Sequence, residues 1–148
     1  MADINSIMSQ AIELRGAITR LIISSTYHRC GDLSEVSLNP YDSEQLFLRD
    51  ELEQVMEKLA DAADIIHHIG LPVDEISHLH RNSLGKYETA QGHVYRCGSP
   101  IEALVSDDRH DVPYWTRTRV EHDGEDYYLV GYRDVSLNGL VIRTRIQS

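Results

Sequence analysis

The sequence predicts an α+β protein: an N-terminal antiparallel helical hairpin followed by a small twisted antiparallel β-sheet or partly closed barrel. Three observations predict it. Apolar residues recur at alternating spacings of three and four through the first half of the chain. From residue 84 the period moves toward two, in short runs broken by glycine and serine. An Asp123-Gly124 pair then sits between two alternating runs, a strong short-range hairpin signal.

The first helix carries Ile4, Ile7, Ala11, Leu14, Ile18, Leu21 and Ser25 on a heptad seam, with Met8 beside it and Asp3 as its N-cap. A break follows over residues 28–40, where Gly31 and Asn39-Pro40 stop any helix. Asp42 opens a second helix, with Gln45 in the place of a capping-box partner. Leu48, Leu52, Val55, Leu59, Ala62 and Ile66 repeat the seam, and Gly70 with Pro72 ends it. The matching seams are expected to pack on each other. Ile12, Ile22, Ile23, Phe47, Met56, Ile65 and Ile69 widen the apolar faces beyond them, so a further surface must cover the hairpin. That surface is either the C-terminal domain or another copy of the chain; self-association is the expectation, as a homo-oligomer: a dimer or higher, with a hexamer among the options. The domain division expected is 1–80, helical hairpin and linker for oligomerisation, and 81–148, a ligand-binding β domain.

LGKYETA, HVYRCG and SPIEALVSD read as short strands, followed by the hairpin WTRTRVEHDGEDYYLVGY and, past Ser136–Gly139, by LVIRTRI. A type I′ turn centred on Asp123-Gly124 would set His122 opposite Glu125, Val120 opposite Tyr127, Arg119 opposite Tyr128 and Trp115 opposite Tyr132. Alternation then sorts the hairpin into two faces. One carries Thr118, Val120, Tyr127 and Leu129; the other carries Trp115, Arg117, Arg119, Tyr128, Val130 and Tyr132. Pattern alone leaves open which face is buried. In the last strand Arg143 and Arg145 point one way, and Leu140, Ile142 and Ile146 the other, as core.

Composition narrows the function. Of 148 residues 41% are hydrophobic, enough for a core, and no apolar run approaches the roughly 20 residues of a membrane span. The opening MADINSIMSQ has no signal-peptide pattern, and Cys30 and Cys97 have no CxxC spacing, which suits a cytoplasmic protein with reduced thiols. The net charge of -10 falls mostly on residues 1–80, with 14 acidic residues against 5 basic ones. It argues against binding DNA or RNA polymers. It leaves room for a small anion in an arginine-lined site, and 12 of the 14 basic residues are arginines, the side chain whose planar fork grips phosphate and lies flat on rings.

The hairpin face with its rings and arginines is the candidate ligand site. The residues singled out are Arg81, Trp115, Arg119, Tyr128, Arg133, Arg143 and Arg145: rings to stack on a base, guanidinium groups to hold phosphate. The alternative is ordinary: the rings as core, the arginine stems packed beside them with their heads in solvent. No metal and no cofactor is expected, since His67, His68, His78 and His80 have no cysteine near and the first pair lies on the seam. No nucleophile elbow, P-loop or GxGxxG is present, so no enzymatic activity is expected, with a nucleotide hydrolase as the alternative.

CGSPIEALVSDD, WTRTRVEHDGEDYYLVGYRDVSLNGL and VIRTR together resemble a small family from phages and mobile elements of bacteria, long catalogued as a domain of unknown function. The resemblance runs from about Leu84 to Arg145. The chain also resembles the Thoeris anti-defence sponges, phage proteins that bind cyclic ADP-ribose isomers made by bacterial TIR-domain enzymes without cleaving them. Some members sequester cyclic oligonucleotides of CBASS immunity at separate sites on a homo-oligomer. The resemblance implies a non-enzymatic sponge in the host bacterial cytoplasm, with a small cyclic nucleotide ligand and no membrane partner. A different class of function is an acidic protein-interaction module that inhibits a host protein, motivated by the charge of residues 1–80.

Overall fold

The computed structural model describes residues 3–147, and the chain divides into two compact units, residues 1–71 and 72–148. The outermost positions of the expected domains, 1, 2 and 148, lie outside the described residues.

In the helical unit, α1 spans Ile4–Ser24, a single turn α2 spans Tyr27–Cys30, and α3 spans Ser43–Gly70. Asp3 caps α1 by accepting from the Ser6 N–H at 2.8 Å. Asp42 caps α3 by accepting from the Glu44 and Gln45 N–H groups. Gln45 departs from a capping box: its side-chain carbonyl accepts from the Asn39 N–H, which ties the incoming loop to the first turn. The Met8 methyl lies against Gly70, so the start of α1 meets the end of α3 and the pair is antiparallel.

The expected seams meet only in part: Ile18 of the first is buried and Ala11, Ser25, Leu59, Ala62 and Ile66 are half-buried. The buried residues of the two long helices are Ile18 and Met56, and the half-buried positions around them include Arg15, Ile22, Arg49 and Glu53. Leu14, Leu21, Leu48, Leu52 and Val55 remain 42–56% exposed. Periodicity locates an apolar stripe but not the direction it faces, and here the line between the helices runs along one edge of each stripe.

The β unit holds two sheets and no closed barrel. The larger has the order β1-β8-β5-β6-β7, from β1 (Val73–His78), β5 (Pro100–Val105), β6 (Tyr114–His122), β7 (Tyr127–Leu129) and β8 (Val141–Arg145). Every neighbouring pair in it is antiparallel. The smaller is β2-β3-β4, from His80–Arg81, Tyr87–Glu88 and Val94–Tyr95. Residues 73–78 and 80–81, expected as linker, are therefore strand, with His78 bonded to the Gly139 carbonyl and His80 to Glu88. One face of the larger sheet is core: Ile101, Ala103, Val105, Val120, Leu129 and Ile142 are at most 3% exposed. Leu140 joins them, but Ile146, also expected in the core, is 48% exposed because β8 ends one residue before it.

The hairpin turn falls one residue later than expected. Val120 pairs with Leu129, Glu121 with Tyr128 and His122 with Tyr127. Asp123 and Asp126 close the turn, and the Asp123 carboxylate accepts from the Glu125 and Asp126 N–H groups. Gly124 becomes the first central residue, with φ +99, the place glycine takes in a type II′ turn. A slip of one residue in the turn moves the pairing by two, so each side chain keeps its face. The exception is Tyr132. Gly131, at φ +82, turns the chain, and Tyr132 leaves the Trp115 face to bond Thr116 and Tyr114 on the core side.

Candidate functional site

The face of the larger sheet opposite the core carries the arginines. Strand register sets Ile76, Arg143, Glu102 and Arg117 side by side across β1, β8, β5 and β6. Trp115 and Arg119 flank Arg117 along β6, at about 7 Å per two residues. The alternation that buries Ile101 and Ala103 obliges Glu102 to point to this face.

Glu102 organises the row. Its Oε1 accepts from Arg143 Nε at 3.1 Å and from Arg145 Nη2 at 2.9 Å, and its Oε2 accepts from Arg145 Nε at 2.9 Å. The carboxylate side chain is 8% exposed under the two guanidinium groups, which are themselves 21% (Arg143) and 10% (Arg145) exposed. The fork-to-fork bond with Glu102 pushes Arg145 further into its charged form. Arg143 also makes a cation–π contact, its guanidinium carbon over the Trp115 ring at 4.4 Å from the centre. Arg117, opposite Glu102 in register, is exposed and has no ion-pair partner among the described residues.

A second cluster lies toward the hairpin tip on the same face. Arg119 donates to Glu121 at 2.9 Å, and the Cys97 thiol donates to the other Glu121 oxygen. These bonds, the thiol's first, hold the Glu121 carboxyl below its ordinary range. Opposite Glu121, Tyr128 lies under Arg133, whose guanidinium carbon is 4.0 Å from the ring centre and whose Nη2 is 3.0 Å from Asp123.

Of the residues expected at the site, the structure thus brings Trp115, Arg143 and Arg145 together on Glu102, pairs Tyr128 with Arg133, and sets Arg119 on β6 between the two groups. Arg81 stands apart, on β2 of the smaller sheet, its guanidinium against Gly85. Four of the arginines are tied to carboxylates in a way composition could not reveal: Arg119, Arg133, Arg143 and Arg145 enter any ligand contact already oriented. Glu102 was missed by sequence reasoning, although its even position between Ile101 and Ala103 signalled it.

A cleft of about 500 Å³ is lined by Ser106, Asp107, Arg109, Tyr132, Arg133 and Asp134 among others. Tyr114 donates a short hydrogen bond to Asp107, and its hydroxyl meets that of Tyr132 at 3.2 Å. The Tyr114 hydroxyl first, then His110 and the Arg109 N–H, pull the Asp107 carboxyl down to about 2. Donation to that carboxylate pushes the Tyr114 phenol up. The group is a fixed anion with a locked donor, so it orients the 106–114 loop against β6 rather than exchanging protons near neutral pH.

Residues 78–144 are similar to a family described as a domain of unknown function (DUF5348), a description that assigns no activity. The matched segment begins at the last residue of β1 and includes every candidate residue named above except Ile76 and Arg145. No curated protein and no solved structure matches the chain.

Proposed function

We propose that the β unit binds a small phosphorylated ligand containing a base, and holds it without turnover. The ligand class is the cyclic nucleotide immune signals of bacteria: cyclic ADP-ribose isomers from TIR enzymes, and the cyclic oligonucleotides of CBASS. Sequestering them would let a phage evade the defence that they trigger. One observation carries this reading: the Arg143 guanidinium sits over the Trp115 ring, held in place by Glu102, beside an exposed Arg117 with no ion-pair partner among the described residues. A guanidinium fixed on a ring offers a flat cationic surface to a base, and stacking of that kind is worth about 1–3 kcal/mol. Arg117 supplies a charge-assisted contact to phosphate, worth about 1.5–3 kcal/mol. A sponge needs a Kd in the nanomolar range, or about -12 kcal/mol, which a few such contacts on a preoriented site can reach.

The test is capture and release. Purified protein is incubated with TIR-derived cyclic ADP-ribose isomers and, separately, with cyclic dinucleotides. Unbound ligand is removed by filtration, the protein is heated, and the released fraction is chromatographed. Intact nucleotide is the expected outcome. Arg117→Ala should then weaken binding at least about tenfold with the unfolding midpoint unchanged. A degraded product would make the protein an enzyme instead, and no captured nucleotide in either arm would overturn the proposal.

A further inference from the structure

The helical unit has almost no core of its own. Across α1 and α3 the buried residues are Ile18 and Met56, with Leu33 of the connecting loop and Leu71 after α3. The line between the helices is partly polar, with Arg15, Arg49 and Glu53 half-buried along it and the buried Arg15 Nε unbonded. Meanwhile Ile7, Leu14 and Leu21 of α1 and Leu48, Leu52 and Val55 of α3 are 42–56% exposed.

These six residues form one surface. At about 100° per residue, Ile7, Leu14 and Leu21 sit some 70° to one side of the α1 positions that face α3. Leu48, Leu52 and Val55 sit about 90° away in the same angular sense on α3. In an antiparallel pair, the same sense on both helices points to the same side of the hairpin. One edge of each heptad seam, Ile7, Leu14 and Leu21 on α1 and Leu48, Leu52 and Val55 on α3, is therefore turned outward, the two side by side.

The exposed apolar area of the six is on the order of 500 Å², before the half-buried Leu59 and Ile66 and any polar rim are counted. That is at the upper end of the largest patch on a typical monomer, and a standard interface buries roughly 800 Å² per partner. Charge decides the arrangement. Within α1 two arginines, Arg15 and Arg20, stand against Glu13; within α3 seven carboxylates stand against Arg49 and Lys58. A dyad that set α3 on α3 would bring the two acidic helices together. One running along the helix axes sets α1 of each copy on α3 of the other, and every neighbouring pair stays antiparallel.

We infer that this face is occupied by a second copy of the chain, in a four-helix bundle with α1 on the partner's α3. Heptad-spaced rows with Leu and Ile at the contact suit the shallow crossing angle of such bundles. The dimer completes the core that the hairpin lacks. It also brings two β units into one assembly, so a ligand site on each would be present twice.

Sedimentation equilibrium on the full chain tests this. The native protein should sediment at twice the chain mass at micromolar concentration. Leu14→Glu or Leu52→Glu should lower the association constant at least 100-fold, whereas Ile12→Glu, on the other side of α1, should leave it within threefold. Because a face variant could lose its helical fold, cross-linking gives a second readout. In a Cys30→Ser, Cys97→Ser background, a mixture of Leu21→Cys and Val55→Cys chains should form a disulfide-linked dimer on mild oxidation. A monomeric native chain would overturn the proposal and leave the face to a different protein. A dimer unaffected by Leu14→Glu, or equally broken by Ile12→Glu, would move the interface elsewhere. Failure of the mixed chains to cross-link would remove the α1-on-α3 arrangement.

Discussion

Glu102 sits under two arginines on a sheet face that is otherwise open to solvent, and its side chain is 8% exposed. Such a carboxylate gains from its partners roughly what desolvation costs it, so the triad is better understood as an orienting device than as a source of stability. Removing one member is a different matter, because the others stay buried without their counter-charge. Glu102→Ala should therefore destabilise the β unit by about 3 kcal/mol, measured as a shift of the urea midpoint. An unchanged midpoint would mean that Arg143 and Arg145 find solvent on their own. The same residue shows how alternation can be read more fully. SPIEALVSD announces a strand, and the glutamate two places from its start has to lie on the face that Ile101 and Ala103 do not occupy. Which arginines would reach it was not legible, because β8 lies 41 residues further along the chain from β5.

The hairpin of β6 and β7 shows what a turn motif determines. Asp123-Gly124 was enough to place the hairpin and assign its faces. It was not enough to place the turn, because Asp123 uses its carboxylate to cap the two following N–H groups and passes the first central position to Gly124. No atom outside its chain neighbours lies within 4 Å of a Cβ built at Gly124, so Gly124→Ala meets no steric obstacle. Its cost is the backbone alone, about 1–2 kcal/mol for an alanine at φ +99, to be measured by thermal unfolding. A variant as stable as the native chain would show that the turn can relax to another form. The helices teach a similar lesson about direction. Each stripe was placed correctly, yet in the contact Ile18 of the first stripe meets the second helix beside its stripe, where Met56 is buried and Leu48, Leu52 and Val55 are not.

For the chain as a whole, the two units differ in how far each can stand alone. The β unit has an eleven-residue buried cluster that includes Leu79, Tyr87 and Tyr95 from the smaller sheet and its approach, so its two sheets share one core. The helical unit buries few apolar side chains, and a two-helix hairpin of that kind is marginal in water. A fragment of residues 72–148 should unfold cooperatively by itself. A fragment of residues 1–71 should show helical circular dichroism that rises with protein concentration. Concentration-independent helix in the second fragment would mean that the hairpin needs no partner. Among the described residues no helix is long and apolar enough to cross a membrane.

The sequence by itself determined the α+β class, both helix starts, the hairpin's position and the sorting of its side chains into two faces. Each of these follows from spacing or a local cap, and local chemistry is enough to decide it. Tertiary structure decided the rest: which face of the hairpin is core, that residues 73–81 join the sheets, that Tyr132 crosses to the core side, and that four of the candidate arginines are held by carboxylates. It also turned one edge of each helical seam outward. All of these depend on partners far away in sequence, and no periodicity in one segment records what another segment will place against it.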